Sequence, residues 1–553
     1  MADEEGISLQ PPLIRTESAL GEDGQQVHLL SALRPEQGWP RLWAWIPVRL
    51  DEDDRVEAIG APFVEPFLRA AQDIGEPLRH ALPLQRFPPA LPGERRGLLG
   101  LFVYAHERAL AVEGARPAAR LALEALLEAV LAGEGGADPQ WQLGLVLRPD
   151  GAGEEGGDGA ARGELSFVLA ACQYPPGVLD HSPDALARPD STSPAEASLA
   201  RLVAYCRRHP SGRQASLLIL AGDEIYADAS SGLFDANNQI ERYARPYMQF
   251  KAGVIRHLPP SLRRVVHIPD DHEIEDGWEP IAGAPTPPGP QGLLYAAARQ
   301  AAWTHRWDAR PGPAEAGAFW HAFDWRGAAF FIADSRGERQ PRRWDLWRDA
   351  QMIGQAQREA LYAWLKQTAG RPRFVASSAL LLPRRRATRE HAASCLRSDA
   401  WDGYPASLHG LLAELWAQQA RDVVFLSGDE HRSGHVSVEI EAVDGGDDRP
   451  PLRLYSIHSS ALYAPWPFAI TRPEEFAAPE AFEFDGQGGQ RLRCRVGAWV
   501  DHPGDGFLLL RLAADGMALQ LWFDRAARPL HSARGETSDG LPAADASLEL
   551  DPR

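Results

Sequence analysis

From Glu164 onward the chain repeats one pattern, a short apolar run that ends on small or polar residues. The runs are LSFVLAACQ, SLLILAGDE, RVVHIPDDHE, AAFFIADSR, RFVASSALL, DVVFLSGDEH and LRLYSIHSS. Apolar runs closed by glycine or polar clusters predict buried strands. Helix-like segments lie between them. AEASLARLVAYCRR is one; MIGQAQREALYAWLKQ is another, with Leu361, Trp364 and Leu365 spaced for one face. Strands alternating with helices predict an α/β sheet core over residues 164–478. After Ala478 the runs RLRCRVGAWV, GFLLLRLA and MALQLWF predict a small β extension of that core over 479–527. Residues 528–553 read as a polar, loose tail.

The pattern before Glu164 differs. Residues 1–147 mix strand-like runs such as RLWAWIPVRL with a helix predicted over PAARLALEALLEAVLAG, which suggests an N-terminal α+β accessory domain. Arg148 to Gly163 is glycine-rich and acidic without large apolar residues, and residues 148–163 therefore read as a flexible linker. The sequence contains no internal repeat.

Composition narrows the function. The chain has 553 residues, 44% of them hydrophobic, enough for two or more domains. A formal net charge of −19 argues against a nucleic-acid surface or an anionic membrane, and suits a protein that gathers cations. No apolar stretch has membrane-spanning length. The N-terminus lacks a basic region followed by an apolar core, so no secretory signal is expected and the expected location is cytoplasmic. Four cysteines in this length do not make a disulfide framework. None of this sets an oligomeric state.

The polar ends of the runs carry the chemistry. In open α/β sheets, ligands sit beyond the carboxyl ends of strands. The ends here offer Cys172; Asp223 with Tyr226; Asp270, Asp271, His272, Glu273 and Asp276; Asp334 and Arg336; and Asp429, Glu430 and His431. Two-metal hydrolysis wants such a set. Two cations about 3.5–4 Å apart share a bridging carboxylate and hold a water, which becomes a metal-bound hydroxide nucleophile. The cations also neutralise phosphoryl oxygens in the transition state. Asp223 is the candidate bridge and a catalytic residue. Cys172 and Tyr226 are anionic donors that suit trivalent iron, and carboxylates around Asp271 suit a hard ion such as calcium. His272 suits a proton donor to the leaving group.

Each residue also has a plainer reading. Cys172 alone reads as a buried thiol, Tyr226 as a packed aromatic, and Asp270 to Glu273 as a solvated acidic loop. Adjacent carboxylates repel without a cation or proton to relieve them, which favours the metal reading. Asp228 reads as a turn residue or a support to the site. Arg336 and Arg339 offer forks for phosphate oxygens or surface ion pairs. Pro383 to Arg386, PRRR, is a basic patch that greets an anionic substrate or is simply solvated. His431 and His435 stand four apart, but HRSGHVSVEI reads as turn then strand, which argues against a helical histidine pair.

Taken in order, ACQ, GDEIYAD, DDHEIEDGW, DSRGER, WDGYP, LSGDEH and SSALYAP resemble the PhoD-like alkaline phosphatases, a branch of the calcineurin-like metallophosphoesterases. The resemblance spans about Leu165 to Phe468. It implies a four-layer αββα core, phosphomonoesterase or phosphodiesterase activity on a small phosphate ester, and an iron site built from cysteine, aspartate and tyrosine with calcium nearby. Those ligands fall on Cys172, Asp223 and Tyr226. The DDHE segment puts Asp270 and Asp271 at metal and His272 near the leaving-group oxygen. The SGDEH segment makes Asp429 and His431 ligands or phosphate contacts. Two departures stand out. Pro269 precedes DDHE, and without an N–H it predicts a strand that ends early or lies at an edge. Residues before Glu164 have no counterpart in the family pattern. Two other functions remain in play: a catalytically inactive scaffold that binds a nucleotide or protein partner, and a two-metal amide or lactone hydrolase.

Overall fold

The computed structural model describes residues 42–50, 56–66, 78–82, 84–89, 95–105, 145–147, 164–175, 194–208, 210–230, 264–280, 290–305, 318–443, 449–465, 472–476, 479–524 and 543–551. It also gives the strand backbone of 7–10, 13–21 and 24–30, and single positions between 242 and 262. The predicted helix PAARLALEALLEAVLAG and the predicted linker 148–163 lie outside the described residues. The chain divides into two compact units, residues 1–157 with 251–260, and residues 158–250 with 261–553.

The described part of the first unit is built from strands. Leu42–Leu50 pairs antiparallel with Arg95–Ala105 along its length, and Val56–Ala58 and Phe63–Pro66 extend that sheet. Trp43 and Trp45, two residues apart and so on one face, stack with ring centroids 4.9 Å apart. Leu13–Gly21, Gly24–Leu30 and Leu78–Leu82 form a separate three-stranded sheet.

The second unit is mixed α/β with two large sheets. The first sheet starts with β1 (Leu165–Gln173), β2 (Ala215–Ala221) and β3 (Arg264–Ile268) as parallel neighbours. Between β1 and β2 runs α1 (Pro194–Arg208), burying Leu199, Leu202, Tyr205 and Cys206. After β3 comes α2 (Pro290–His305). The second sheet contains β4 (His321–Trp325), β5 (Ala328–Ile332), β6 (Arg373–Ala376), β7 (Val423–Ser427), β8 (Ser433–Ala442) and β9 (Leu452–His458). Its helices are α3 (Gln355–Gln367) and α4 (Pro405–Gln418). β5, β6, β7 and β9 are parallel, and β8 turns back antiparallel beside β9. Short β10 (Ala461–Tyr463) then pairs with β1.

The strands after Ala478 divide between the two core sheets. β11 (Glu480–Asp485), β12 (Arg491–Val496) and β13 (Val500–His502) join the second sheet. β14 (Leu508–Leu512) and β15 (Ala518–Phe523) join the first. The orders are β3-β2-β1-β14-β15-β16 and β4-β5-β6-β7-β9-β8-β12-β11, where β16 is Ala546–Glu549. For the described residues 543–551, β16 also corrects the reading of 528–553 as a loose tail. Leu548 and Leu550, two apart among polar neighbours, are buried and hold that segment on β15.

Two apolar clusters account for the packing. One joins both sheets through Phe167, Leu169, Ile219, Val266, Phe330, Phe374, Val424 and Leu510. Phe167 meets Phe330 and Phe374 edge-on at 5.6 and 5.2 Å. The other joins the second sheet to α3 and α4 through Phe331, Leu361, Trp364, Leu411, Leu415 and Val438. The predicted face of α3 is the buried one, with Gln357 added. β3 ends at Ile268, just before Pro269, and is the outermost described strand of its sheet. Among the described residues no helix is long and apolar enough to cross a membrane.

Candidate active site

The strand ends of the two sheets meet through tight turns. β2 ends at Ala221 and the chain turns at Gly222, φ 104°. A Cβ at Gly222 would come within 2.8 Å of Asp270 Cβ, so only glycine lets the two acidic turns approach this closely. Asp223 follows with φ 53°, and Cys172, Asp429 and His431 also have left-handed backbone, at φ 51°, 84° and 51°. Non-glycine residues rarely adopt this region, and it is held only where surroundings over-determine it. The surroundings here are backbone bonds between turns. Cys172 N–H donates to Gly222 O at 3.0 Å, Gln173 N–H to Asp223 O at 2.9 Å, and Gly428 N–H to Ser378 O at 3.0 Å.

These turns bring the predicted residues together around Asp223. Ligand atoms of Cys172, Asp223 and His431 lie within 4.8 Å of one another. The same holds for Asp223, Asp271 and His272, and for Asp223, Asp270, Asp271 and Asp429. Asp223 is common to these three groups, and a fourth, Asp399, Asp429 and Glu430, adjoins them through Asp429. Asp223, Asp270, Asp271, His272, Cys172 and Tyr226 are buried. The Tyr226 ring stacks on His272 at 4.3 Å, and its phenol is pushed up by burial, then by Asp223 and Cys172.

Charge in this pocket is unevenly compensated. Burial pushes the Asp223 carboxyl well above the usual carboxylate range; His272 works against the shift and Asp271 adds to it. Burial pushes Asp270 up to about 6 against the pull of Arg336. Asp223 Oδ2 and Asp270 Oδ2 are buried and have no hydrogen-bond partner among the described residues. Burial, with Asp399 and Asp270, also pushes Asp429 well up. His272 behaves oppositely: burial disfavours its charge, but Asp223, Asp271 and Asp228 outweigh burial and raise it.

The comparisons with known proteins point to one family. Residues 200–452, a little under half of the chain, match the profile of the PhoD-like phosphatases. The chain carries a PhoD-like phosphatase domain. That domain makes the protein a hydrolase of phosphoric esters and a metal binder. A solved structure of PhoD aligns over 98% of this chain and 91% of that chain, with a TM-score of 0.52 and 14% identity, a likeness of fold. No curated protein matches the chain.

The donor set fits the cations of such a domain. Buried carboxylates with unfilled oxygens need positive charge, and thiol, imidazole and carboxylate donors share one centre. Arg336 differs from the surface ion-pair reading. It is 1% exposed and is held among buried carboxylates. Its Nε donates to Asp270 Oδ1, and its Nη2 lies 2.7 Å from Asp399 Oδ2, 3.3 Å from Asp271 Oδ1 and 3.4 Å from Asp429 Oδ2. Arg339 braces the wall instead, donating to Ser335 O at 2.8 Å and Asp399 O at 3.1 Å.

Glu273, His458 and Asp399 take positioning roles that the sequence reading did not assign. Glu273 accepts Glu224 N–H at 2.6 Å, Ile225 N–H at 3.2 Å and Asp270 N–H at 2.7 Å, which ties the Asp223 turn to the Asp270 turn. Burial, then Glu224, pushes its carboxyl up to about 8. His458 holds Ser427 Oγ at 2.7 Å through Nδ1 and accepts Glu430 N–H at 3.2 Å through Nε2, so it is neutral and fixes the Asp429 turn. Burial, with His431 and Arg385, pushes it down to about 3. Asp399 links two arginines at the rim. Only the apolar run ahead of His458 hinted at a strand end there. Asp399 carries no local signal beyond charge, and Glu273 shows only its place among the strand-end acids.

Proposed function

We propose that the protein hydrolyses small phosphoric monoesters or diesters, with Cys172, Asp223, Tyr226 and His431 holding an iron ion. Asp223, Asp270, Asp271 and Asp429 hold calcium or another hard divalent ion beside it. A four-layer αββα arrangement of the second unit accompanies this reading. The observation that carries it is Asp223, one buried carboxylate shared by three donor groups and left with an unfilled oxygen. The bound cations supply an acidified water and positive charge for the phosphoryl oxygens.

The chain's own residues do the rest. His272 holds a proton for the leaving-group oxygen. Asp228 Oδ1 lies 2.8 Å from His272 Nδ1, which leaves Nε2 to face the reacting group. Asp276 N–H donates to Asp228 Oδ2 at 2.7 Å and fixes that carboxylate in turn. Arg336 stabilises charge by keeping Asp270, Asp271 and Asp429 in one place. The test is elemental analysis of the purified protein together with hydrolysis of nitrophenyl mono- and diesters. Bound metal with turnover supports the proposal. Asp223→Asn should lower metal content and abolish turnover with the fold retained, and a fully active Asp223→Asn variant refutes the shared-ligand assignment.

A further inference from the structure

At the rim of the acidic cluster one carboxylate hangs between two guanidinium groups. Asp399 Oδ2 accepts from Arg336 Nη2 at 2.7 Å, and Asp399 Oδ1 lies 3.4 Å from Arg385 Nη2. Two oxygens of one anion on two separate forks is also how a phosphoryl group is grasped. Both forks are held from behind. Arg336 Nε is tied to Asp270, and the Arg385 guanidinium to Glu430, with Arg385 Nε 3.1 Å from Glu430 Oε1. The Arg385 backbone N–H donates to Asp402 Oδ2 at 2.8 Å. So the clamp keeps its shape without Asp399.

Exposure sets the direction of approach. The Asp399 side chain is 21% exposed and that of Arg385 18%, whereas Arg336 and Glu430 are each 1% exposed. An incoming anion therefore meets Asp399 and Arg385 first, with Arg336 behind them. Arg336 also keeps a donor in reserve, since Nη1 is buried and has no hydrogen-bond partner among the described residues. A buried guanidinium N–H without an acceptor is costly, and an arriving phosphoryl oxygen satisfies it.

We infer that Asp399 is a built-in stand-in for the phosphoryl group, which the substrate displaces from Arg336 and Arg385. This rests on the hydrolase reading above. The displaced carboxylate has solvent beside it, while its backbone carbonyl stays anchored by Arg339 Nη2 at 3.1 Å. The same carboxylate then competes with inorganic phosphate after the reaction, and its return helps product leave. Asp399 is thus a positioning residue that sets phosphate affinity and release.

The test uses the metal-loaded full chain with inorganic phosphate as the probe. Calorimetric titration of phosphate and its competition against nitrophenyl phosphate are compared for the wild type, Asp399→Asn, Asp399→Ala and Asp399→Asn with Arg385→Gln. Removing the resident anion should tighten phosphate binding at least about fivefold in both single variants, given the size of charge–charge terms near a protein surface. The added Arg385→Gln should erase that gain. Metal content and thermal melting show that each variant is folded, and the near-isosteric Asn variant serves if Ala is unstable. Unchanged or weaker phosphate binding in a folded, metal-replete Asp399→Asn variant overturns the inference, leaving Asp399 as a brace for Arg336. A wild type that hydrolyses no phosphoric ester and binds no phosphate overturns the hydrolase reading and the inference with it.

Discussion

Asp228 determines which nitrogen of His272 can deal with a proton. Its carboxylate straddles Nδ1 at 2.8 and 3.0 Å, and the ring is buried. Asp228→Asn should leave metal content intact and lower kcat about 10–100-fold, the usual loss when a supporting partner of a site histidine is removed. A variant with kcat near the wild type and a shifted KM alone would rule out that role. The sequence made the acids legible because carboxylates right after buried apolar runs are costly without a purpose. It left His458, Asp399 and the role of Glu273 obscure, because their partners lie in distant turns. The buried setting of Arg336 was hidden for a related reason: nothing local says that four separate carboxylates close around it.

Turns, more than strands, carry the precision at the level of elements. Gly428 sits where a Cβ would overlap Ala171 Cβ and the Ala221 carbonyl, so it lets the β7 turn press against the ends of β1 and β2. Gly428→Ala should displace Asp429 and His431 and cost about a hundredfold in activity, as a misplacement near 1 Å can. Measured kcat/KM and metal content check this together, and a variant with both unchanged would show that the turn has slack. Helix α4 carries a different liability. His409 lies among Phe482 and Phe484, at 5.7 and 5.4 Å between ring centroids, and burial, then Arg384, lowers it to about 4. The unfolded chain therefore binds more protons than the folded one between about pH 4 and 6.5. This contribution is whole above pH 6.5 and is lost as pH falls, by about 1.4 kcal/mol per unit within that window. Denaturant midpoints at pH 7 and 5 should differ less in His409→Phe than in the wild type. Periodicity announced α3 and its buried face; it could not announce which backbone turns go left-handed, since that depends on contacts between turns.

At the scale of the whole molecule, the proposed metal centre would tie the two sheets together. The acidic turns extend from strands of both sheets, and among the described residues Arg336 and His272 offset part of the charge that the cations would neutralise. Chelation should lower the apparent melting temperature, with recovery on returning metal. Cations at a hundred times their Kd contribute about 2.7 kcal/mol to the folded state, and equal melting of stripped and loaded protein would count against a structural role for the metals. The alternation of strand and helix was readable from the chain. The assignment of late strands to one sheet or the other was not, because β11 and β14 look alike as apolar runs and differ only in their neighbours. That division has a practical outcome for anyone dissecting the molecule. The segment 200–452 that matches the family omits β1, which sits between β2 and β14 in the first sheet, and stops at the first residue of β9. A fragment trimmed to those limits would lose Cys172 and expose bare strand edges on either side of the gap. The borders of shared ancestry and the borders of an independently folding piece do not coincide here.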